Sequence, residues 1–303
     1  MECNRCSNDA VYTRRYSGES LCRTCFSESI LKKTAKTISR YKMIQRGQLV
    51  CVGVSGGKDS LALLYVLSKM MVPRGFRMVA ATIDEGIPGY RNEALDIVER
   101  YCGRLGVEYV VYSYNDLFGV TLDEALMRRS DNATSCAICG TLRRRALDRA
   151  AWDLGADVIA TAHNKDDSLQ TFLINMISGD VNRIGWMDLE KPSDGVRKIK
   201  PFDDIHEAEI AFFAFINDIP FQTEPCPHMD EGIRTEIRRF LNALEERHAG
   251  VKNSLYRSTQ KISQTVRRTE TKTRTICPEC GSQCTQDTCS VCSIVLKLGG
   301  SKN

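Results

Sequence analysis

The run from Leu49 to Leu64 constrains the fold of this 303-residue chain more than any other stretch. An apolar segment leads into Ser-Gly-Gly-Lys-Asp-Ser at residues 55–60, and an apolar helical stripe follows. We interpret the run as a buried strand, a glycine turn and the start of a helix. Because backbone N–H groups and the helix dipole at such a turn favour negative charge, the run predicts a phosphate cradle.

The glycine turn is not a Walker A loop. Gly53 lies one residue too close to the Gly57-Lys58 pair, and Asp59 stands where Ser or Thr would bind magnesium. Residues 55–60 instead resemble the pyrophosphate loop of the ATP pyrophosphatases, the PP-loop superfamily. That resemblance implies that the loop holds the β- and γ-phosphates of ATP while an acceptor oxygen attacks the α-phosphate. An ordinary glycine-rich turn between a strand and a helix is the alternative.

The composition restricts the class of protein. Hydrophobic residues make up 42% and charged residues 26%, which is typical of a soluble globular chain. The sequence has neither an apolar run of about 20 residues nor a signal-peptide pattern, so we expect a cytoplasmic protein without a membrane partner. The net charge of +4 permits a nucleic-acid partner without requiring one.

Cysteine spacing predicts two small metal modules. Eight of the 14 cysteines form four Cys-x-x-Cys pairs near the two ends of the chain. Two such pairs supply the four thiolates of a structural zinc site, with redox-active dithiols as the alternative. The expected first zinc ligands are Cys3, Cys6, Cys22 and Cys25, and the second set is Cys277, Cys280, Cys289 and Cys292.

Between the modules the pattern alternates strands and helices, which predicts an α/β fold with a doubly wound parallel sheet. We expect five regions along the chain. These are an N-terminal zinc knuckle at 1–27, a basic helical linker at 28–47, a PP-loop domain at 48–225, a helical extension at 226–272, and a C-terminal zinc knuckle with a disordered tail at 273–303.

Ligands of such sheets bind beyond the C-terminal ends of the strands, so the loops after Val54, Ile83 and Ala162 should be neighbours. Residues 161–167 resemble the second PP-loop signature, with Ala162 replacing a glycine. Its Asp166-Asp167 pair predicts a magnesium site, or simply a cap for the next helix. The expected ATP-binding residues are Val54, Ser55, Gly56, Gly57, Lys58, Asp59, Ser60, Ile83, Asp84, Ala162 and Asp167.

Three further cysteines form an odd set: Cys136, Cys139 and the distant Cys226. Ligand chemistry leaves three interpretations open, namely a three-cysteine 4Fe–4S cluster, a zinc completed by His228, and a metal-free persulfide or disulfide pair. Arginine clusters could add a discontinuous positive surface for phosphates, although a solvated face is the default. They are Arg128-Arg129, Arg143–Arg145, Arg238-Arg239 and Arg267-Arg268.

The order of these motifs along nearly the whole chain is similar to the TtuA/NcsA group of tRNA 2-thiouridine synthetases. The resemblance implies a 4Fe–4S cluster on the three central cysteines, with a free iron for incoming sulfide. It also implies tRNA and ATP as partners, uridine as the target, sulfide or a ubiquitin-like carrier as sulfur donor, and a homodimer.

Arg143 departs from this family, whose members often have lysine there; arginine keeps the positive charge for the α-phosphate but cannot act as a neutral amine. With Asp59 and Asp167, it completes the expected catalytic set. Alternatives are a PP-loop ligase or amidotransferase that uses nitrogen, a cluster-free persulfide thiolase, and a zinc-rich RNA-binding module with a vestigial nucleotide site.

Overall fold

The computed structural model describes residues 1–129, 134–189, 196–228, 233–269, 275–284 and 286–297. The C-terminal segment 298–303, for which we predict disorder, lies outside the described residues. No helix in the described ranges is both long and apolar enough to span a bilayer.

A five-stranded parallel sheet forms the centre of the molecule and confirms the predicted α/β fold. Its strands are β3 (Leu49–Gly53), β4 (Arg77–Asp84), β5 (Tyr109–Ser113), β6 (Val158–Ala160) and β7 (Arg197–Ile199). Their spatial order is β5-β4-β3-β6-β7. The order reverses beside β3, so the loops after β3 and β6 form a crevice at the carboxyl edge, where ligands of open α/β sheets bind.

Helices cover both faces of this sheet. They include α2 (Lys58–Arg74), α3 (Tyr90–Leu105), α6 (Ser135–Asp153), α7 (Lys165–Ile177) and α9 (Glu207–Ile216). Side chains of β3 alternate between two apolar clusters, since Val50 and Val52 join one and Cys51 the other. This period of two explains why the strand is an almost unbroken apolar run, as expected for a strand buried on both faces.

The N-terminal module is a small hairpin that leads directly into a long helix. Strands β1 (Tyr12–Arg14) and β2 (Glu19–Leu21) pair antiparallel, and α1 (Arg23–Arg40) begins at the Cys22 cap. The basic segment 28–47 is helical over most of its length, as expected. One face of α1 is buried, so the helix packs as part of the core rather than as an exposed connection.

The C-terminal part combines two long helices with a second small module. Helices α10 (Ile233–Arg247) and α11 (Val251–Arg268) pack against α7. Strands β8 (Thr275–Ile276) and β9 (Gln283–Cys284) pair antiparallel, and α12 (Ser290–Lys297) contacts α6. Three shorter helices complete the described chain: α4 (Tyr114–Phe118), α5 (Leu122–Met127) and α8 (Val181–Gly185).

Candidate active site

The glycine turn lies between β3 and α2, as the sequence predicts, and Gly56 shapes it. Its φ of +84° is a conformation that side chains with a Cβ rarely adopt. A Cβ on Gly56 would lie 2.8 Å from the Cβ of Ala94 on α3. Gly57 caps α2 in an extended conformation, and no side chain covers that helix end. The start of α2 is therefore open to a phosphate.

Hydrogen bonds between two serines hold the loop in this shape. The Ser55 N–H donates to the Ser60 hydroxyl oxygen (3.1 Å), and that hydroxyl donates to the Gly57 carbonyl (2.8 Å). The Ser55 and Ser60 hydroxyls are also 3.2 Å apart. The cradle is thus preorganised by its own residues, which lowers the cost of binding an anion.

Charged side chains flank the start of α2. The Lys58 ammonium contacts Asp59 Oδ2 (3.0 Å) and Glu207 Oε1 (2.8 Å). Asp59 Oδ1 is buried and has no hydrogen-bond partner among the described residues. Burial raises the pKa of Asp59 to about 6, although Lys58 opposes the shift. An orphaned carboxylate oxygen beside a phosphate cradle fits a Mg²⁺ ligand.

The second motif begins α7 with a capping box. The Asn164 side chain accepts from the Asp167 N–H (3.0 Å), and Asp167 Oδ2 accepts from the Asn164 N–H (3.1 Å). Asp166 has internal partners, because Lys252 and the Glu207 N–H bind its two oxygens. Burial raises the pKa of Asp167, and Glu207 adds to the shift. Of the predicted pair, Asp167 is therefore the one near the cradle's charges.

The remaining ATP-binding candidates lie at the same carboxyl edge. Strand β4 pairs with β3 only as far as Gly53 and Ala81, so β4 continues beyond β3 by three residues to Asp84. Val54 crosses this step and donates its N–H to the Ala81 carbonyl (2.9 Å). Ile83 lies on the extension, and one residue separates Ala162 from the end of β6.

Two of the three central cysteines lie in the first turns of α6. Cys139 is buried, Cys136 is exposed, and Cys226 is half-buried in a distant segment of the chain. Cys139 and Cys226 pack against the same apolar cluster, which also includes Ile138 and Leu142. Cys226 therefore meets Cys139 in one cluster, and Cys136 lies three residues before Cys139 on α6.

The spacing of these three sulfurs discriminates between the candidate metals. Among the described residues, only the two terminal cysteine sets have sulfurs that all lie within 4.8 Å of one another. Around a single zinc, tetrahedral sulfurs lie about 3.8 Å apart. His228 Nε2 lies 2.6 Å from Asp123 Oδ1, so only its Nδ1 is left for a further partner. The wider trio fits a cluster in which each thiolate binds a different iron.

A chain of hydrogen bonds and ion pairs joins the glycine turn to Cys139. Arg91 donates to the Ser55 carbonyl (2.7 Å), and its Nε lies 3.1 Å from Glu85 Oε2. The other Glu85 oxygen lies 2.8 Å from the Nε of Arg143. Arg143 also donates to Cys139 Sγ (3.2 Å). Three side chains therefore span the whole distance between the phosphate cradle and a cysteine ligand.

A second connection runs through Gln222, which sequence analysis missed. Its N–H donates to the Gly56 carbonyl (3.0 Å), and its side chain donates to the Tyr90 carbonyl (2.7 Å). This fixes the segment that leads to Cys226 beside the loop. Arg91 and Glu207 were also missed, because no local pattern marks a residue whose partner is far away in sequence.

The two terminal sets have the geometry of zinc sites. Cys6 Sγ lies 3.6 Å from Cys22 Sγ and 3.7 Å from Cys25 Sγ. In the second set, Cys280 Sγ and Cys289 Sγ are 3.7 Å apart. These separations match the sulfur–sulfur distance of about 3.8 Å around tetrahedral zinc. Surplus Cys284 bonds the Gln286 carbonyl instead.

The predicted arginine clusters serve different purposes. Arg143 binds Glu85 and Cys139, Arg145 binds the C-terminal module, and Arg267 pairs with Asp188 (2.7 Å). Arg144 is exposed, like Arg143, but unlike Arg143 it forms no salt bridge within the described chain. Three of the nine arginines of the expected discontinuous surface, Arg143, Arg145 and Arg267, therefore have partners inside the molecule.

Comparisons with known proteins agree with this geometry. Residues 27–245 match the family model described as a PP-loop domain, and residues 2–27 match that of the 2-thiouridine synthetase TtuA N-terminal LIM domain. The tRNA 2-thiolation protein NcsA of Haloferax volcanii is 35% identical, covering 97% of this chain and 98% of its own. The Caenorhabditis elegans Cytoplasmic tRNA 2-thiolation protein 1 is 32% identical, with coverages of 96% and 78%.

A solved structure is similar over the same length. The U34-tRNA thiolase NcsA from Methanococcus maripaludis, determined with its [4Fe-4S] cluster, superposes with a TM-score of 0.86. The two sequences are 30% identical, and the alignment covers 97% of this chain and 95% of that one.

Proposed function

The chain belongs to the PP-loop family of tRNA 2-thiolation proteins, and from that membership we propose that it converts a tRNA uridine to 2-thiouridine with ATP. ATP adenylates O2 of the uridine, and a sulfur nucleophile then attacks C2. The C2–S bond forms as the C2–O bond breaks, and AMP leaves with the oxygen. Adenylation is needed because a carbonyl oxygen is otherwise a poor leaving group.

The observation that carries this proposal is the contact chain from Ser55 through Arg91, Glu85 and Arg143 to Cys139. A nitrogen ligase needs no thiolate beside its nucleotide site. The contact chain supports a single site made of the phosphate cradle and the cysteine trio, in which a bound uridine would meet both the activating and the sulfur-delivering groups.

At the nucleotide end, residues 54–60 hold the phosphates of ATP, with pyrophosphate leaving into the amides of the loop. Ile83, Asp84 and Ala162 border the adenosine. Asp59 and Asp167 bind Mg²⁺ and orient the acceptor oxygen, supported by the unpartnered Asp59 Oδ1. Arg143 stabilises the charge that develops on the α-phosphate. These assignments rest on position and on charge.

At the sulfur end, Cys136, Cys139 and Cys226 hold a 4Fe–4S cluster. Such a cluster supplies one iron without a protein ligand, a Lewis-acidic position for sulfur. The chain's own contribution is positional, since α6 fixes two ligands and Gln222 fixes the segment of the third. The terminal cysteine sets each hold a structural zinc.

Several further assignments follow from the family and belong to the same proposal. The protein acts in the cytoplasm, sulfide or a ubiquitin-like carrier delivers the sulfur, and two copies form a homodimer. We also propose that the five regions bounded by residues 27, 47, 225 and 272 are its structural units. The PP-loop match over 27–245 supports the central unit.

Nucleoside mass spectrometry tests the reaction. Anaerobically prepared protein is incubated with ATP, sulfide and unmodified tRNA, and we expect 2-thiouridine that requires ATP. Cys136→Ser should abolish the product, whereas Cys284→Ser, a cysteine outside the three metal sets, should form as much as wild type. Full 2-thiouridine formation by Cys136→Ser, or a nitrogen-substituted base, would contradict the proposal.

A further inference from the structure

We infer that Arg144, Lys200 and Arg234, which surround His163 at the carboxyl edge of the sheet, form the surface that binds the phosphate backbone of the RNA substrate. We call these three side chains the cationic rim. The inference deepens the proposed function, on which it rests, by naming the face through which tRNA approaches the ATP site.

Sheet topology places Lys200 beside His163. Strands β6 and β7 are paired in parallel, with Ala160 opposite Ile199. Lys200 follows β7 immediately, and Thr161 donates its N–H to the Ile199 carbonyl (3.0 Å). The His163 ring in turn bonds the Thr161 hydroxyl (2.9 Å). Both side chains therefore leave the same end of neighbouring strands.

Arg234 approaches from the other side of the motif. Its guanidinium donates to Gln170 (3.2 Å) and to Thr171 (3.3 Å) on α7. These positions lie three and four residues after Asp167 and hence on the same helix face. Arg234 is exposed and stands directly next to the second motif.

Arg144 closes the rim from α6. It lies one helical turn before Asp148, whose carboxylate pairs with Lys198 on β7 (2.7 Å). Lys200 directly follows the end of β7, two residues after Lys198. Arg144 is exposed and adjoins Arg143, the residue that reaches Cys139.

The three cations of the rim form no direct ion pair with a described residue. Within the described residues, no carboxylate oxygen lies within 4.0 Å of any of its three cationic groups. The nearest carboxylates are already bound, since Asp148 pairs with Lys198, Asp203 with Ser168 and Tyr256, and Asp167 with Asn164. These carboxylates attract the three cations only through space, so Arg144, Lys200 and Arg234 keep donors free for the phosphates of a polyanion.

His163 lies among these three cations. Burial, followed by the charges of Lys200, Arg234 and Arg144, lowers the pKa of His163 to about 3. RNA is a better ligand for the rim than a free nucleotide is, because ATP already has its own binding site at the loop of residues 55–60. A phosphate chain running over the rim would bring its base toward Asp167.

Fluorescence anisotropy with labelled, unmodified tRNA tests the rim at several NaCl concentrations. We expect Arg144→Ala, Lys200→Ala and Arg234→Ala each to weaken binding roughly 3- to 10-fold, and to lower the slope of log Kd against log salt by about 1. The affinity for a non-hydrolysable ATP analogue should stay unchanged, which also shows that the variants fold.

Arg46→Ala is the matched control. Arg46 is exposed, forms no salt bridge among the described residues, and precedes β3 at the opposite edge of the sheet. It should leave tRNA binding intact. Rim variants that bind tRNA like wild type, or that lose ATP but not tRNA, would overturn the inference. If tRNA binding depends on the rim but no 2-thiouridine forms, the proposed function is refuted while the inference about the rim stands.

Discussion

At the residue scale, the site depends on charged side chains that form ion pairs with one another. Glu85 is almost fully buried, and each of its oxygens faces a guanidinium, one of Arg91 and one of Arg143. A buried ion pair is tolerated only when its remaining hydrogen-bonding groups are satisfied. Ser55 and Thr82 accept from the terminal nitrogens of Arg91, and Cys139 accepts from Arg143. Arg91 Nε has only its ionic contact with Glu85. Arg143 is consequently held beside the thiolate instead of moving freely in solvent.

Gly56→Ala should damage the phosphate cradle specifically. The added methyl would meet Ala94 at 2.8 Å in a backbone conformation that alanine resists. We expect a loss of about 2–3 kcal/mol in the free energy of unfolding, and ATP binding weakened at least tenfold. Urea denaturation and titration with an ATP analogue measure the two effects.

Gly57→Ala is the control for that substitution. Its methyl would meet only the Ser55 hydroxyl, at 3.5 Å, and its φ of −81° suits any residue. We expect stability within about 1 kcal/mol of wild type. Equal losses in both variants would show that the close approach of α3 does not shape the loop.

At the element scale, the two small modules are fastened to the sheet domain by different contacts. The N-terminal hairpin is held by Glu209 on α9, which binds Arg14 (2.5 Å) and Lys33 (3.0 Å). The C-terminal module is held by α6. There Arg145 donates to Cys289 Sγ (3.4 Å), and Val295 packs into the apolar cluster that contains Cys139.

Glu209→Gln should destabilise the protein in a pH-dependent way. Burial alone would raise the pKa of Glu209, but Lys33 and Arg14 outweigh it and lower the pKa to about 2. The lowered pKa means that the carboxylate stabilises the fold above its ordinary value of 4.5, and that this contribution is lost as the pH falls toward 2. We expect a loss of about 3 kcal/mol at pH 7 that shrinks below pH 4.5.

Glu28→Gln serves as the comparison in urea denaturation at each pH. Glu28 pairs with Lys32 at 3.3 Å on the exposed side of α1. Such surface pairs contribute about 0.5 kcal/mol or less. A Glu209→Gln effect as small as that of Glu28→Gln, or independent of pH, would show that the ion pairs of Glu209 do not hold the hairpin in place.

Arg145→Ala should loosen the second zinc but not the first. Donors to zinc thiolates orient the ligands, and their removal typically costs 10- to 100-fold in metal affinity. Zinc transfer to a chromophoric chelator should therefore become biphasic, with one zinc per chain released faster. Arg149→Ala, on the same helix but paired only with Asp153 (2.8 Å), should behave like wild type. Two equally retained zincs in Arg145→Ala would contradict this assignment.

The sequence predicts those parts of the site that are contiguous. The loop at 55–60, the motif at 161–167 and both four-cysteine sets are local patterns, and each forms the expected arrangement. Arg91, Glu207 and Gln222 escaped prediction because each acts across a long sequence separation. Strand β7 escaped as well, since a three-residue edge strand reading Arg-Lys-Ile has no apolar run to reveal it.

At the scale of the whole molecule, one sheet edge organises two chemistries. Strands β3 and β6 end at the phosphate cradle and at Asp167, while α6 and the Gln222 segment bring the cysteine trio to the same edge. The cationic rim borders this edge on the solvent side. In the function that we propose, this edge would hold the oxygen-activating and the sulfur-delivering groups within reach of one bound base.

The central claim is that ATP activates the oxygen and the cysteine trio delivers the sulfur. Its most direct test measures pyrophosphate and 2-thiouridine in the same anaerobic reaction of Cys226→Ser with ATP, sulfide and tRNA. Cys226 is half-buried and lies outside the contacts that shape the loop, so adenylation should survive its loss. We predict tRNA-dependent pyrophosphate release with no 2-thiouridine. Formation of 2-thiouridine at the wild-type level would contradict the account, because sulfur would then reach the base without the cysteine trio.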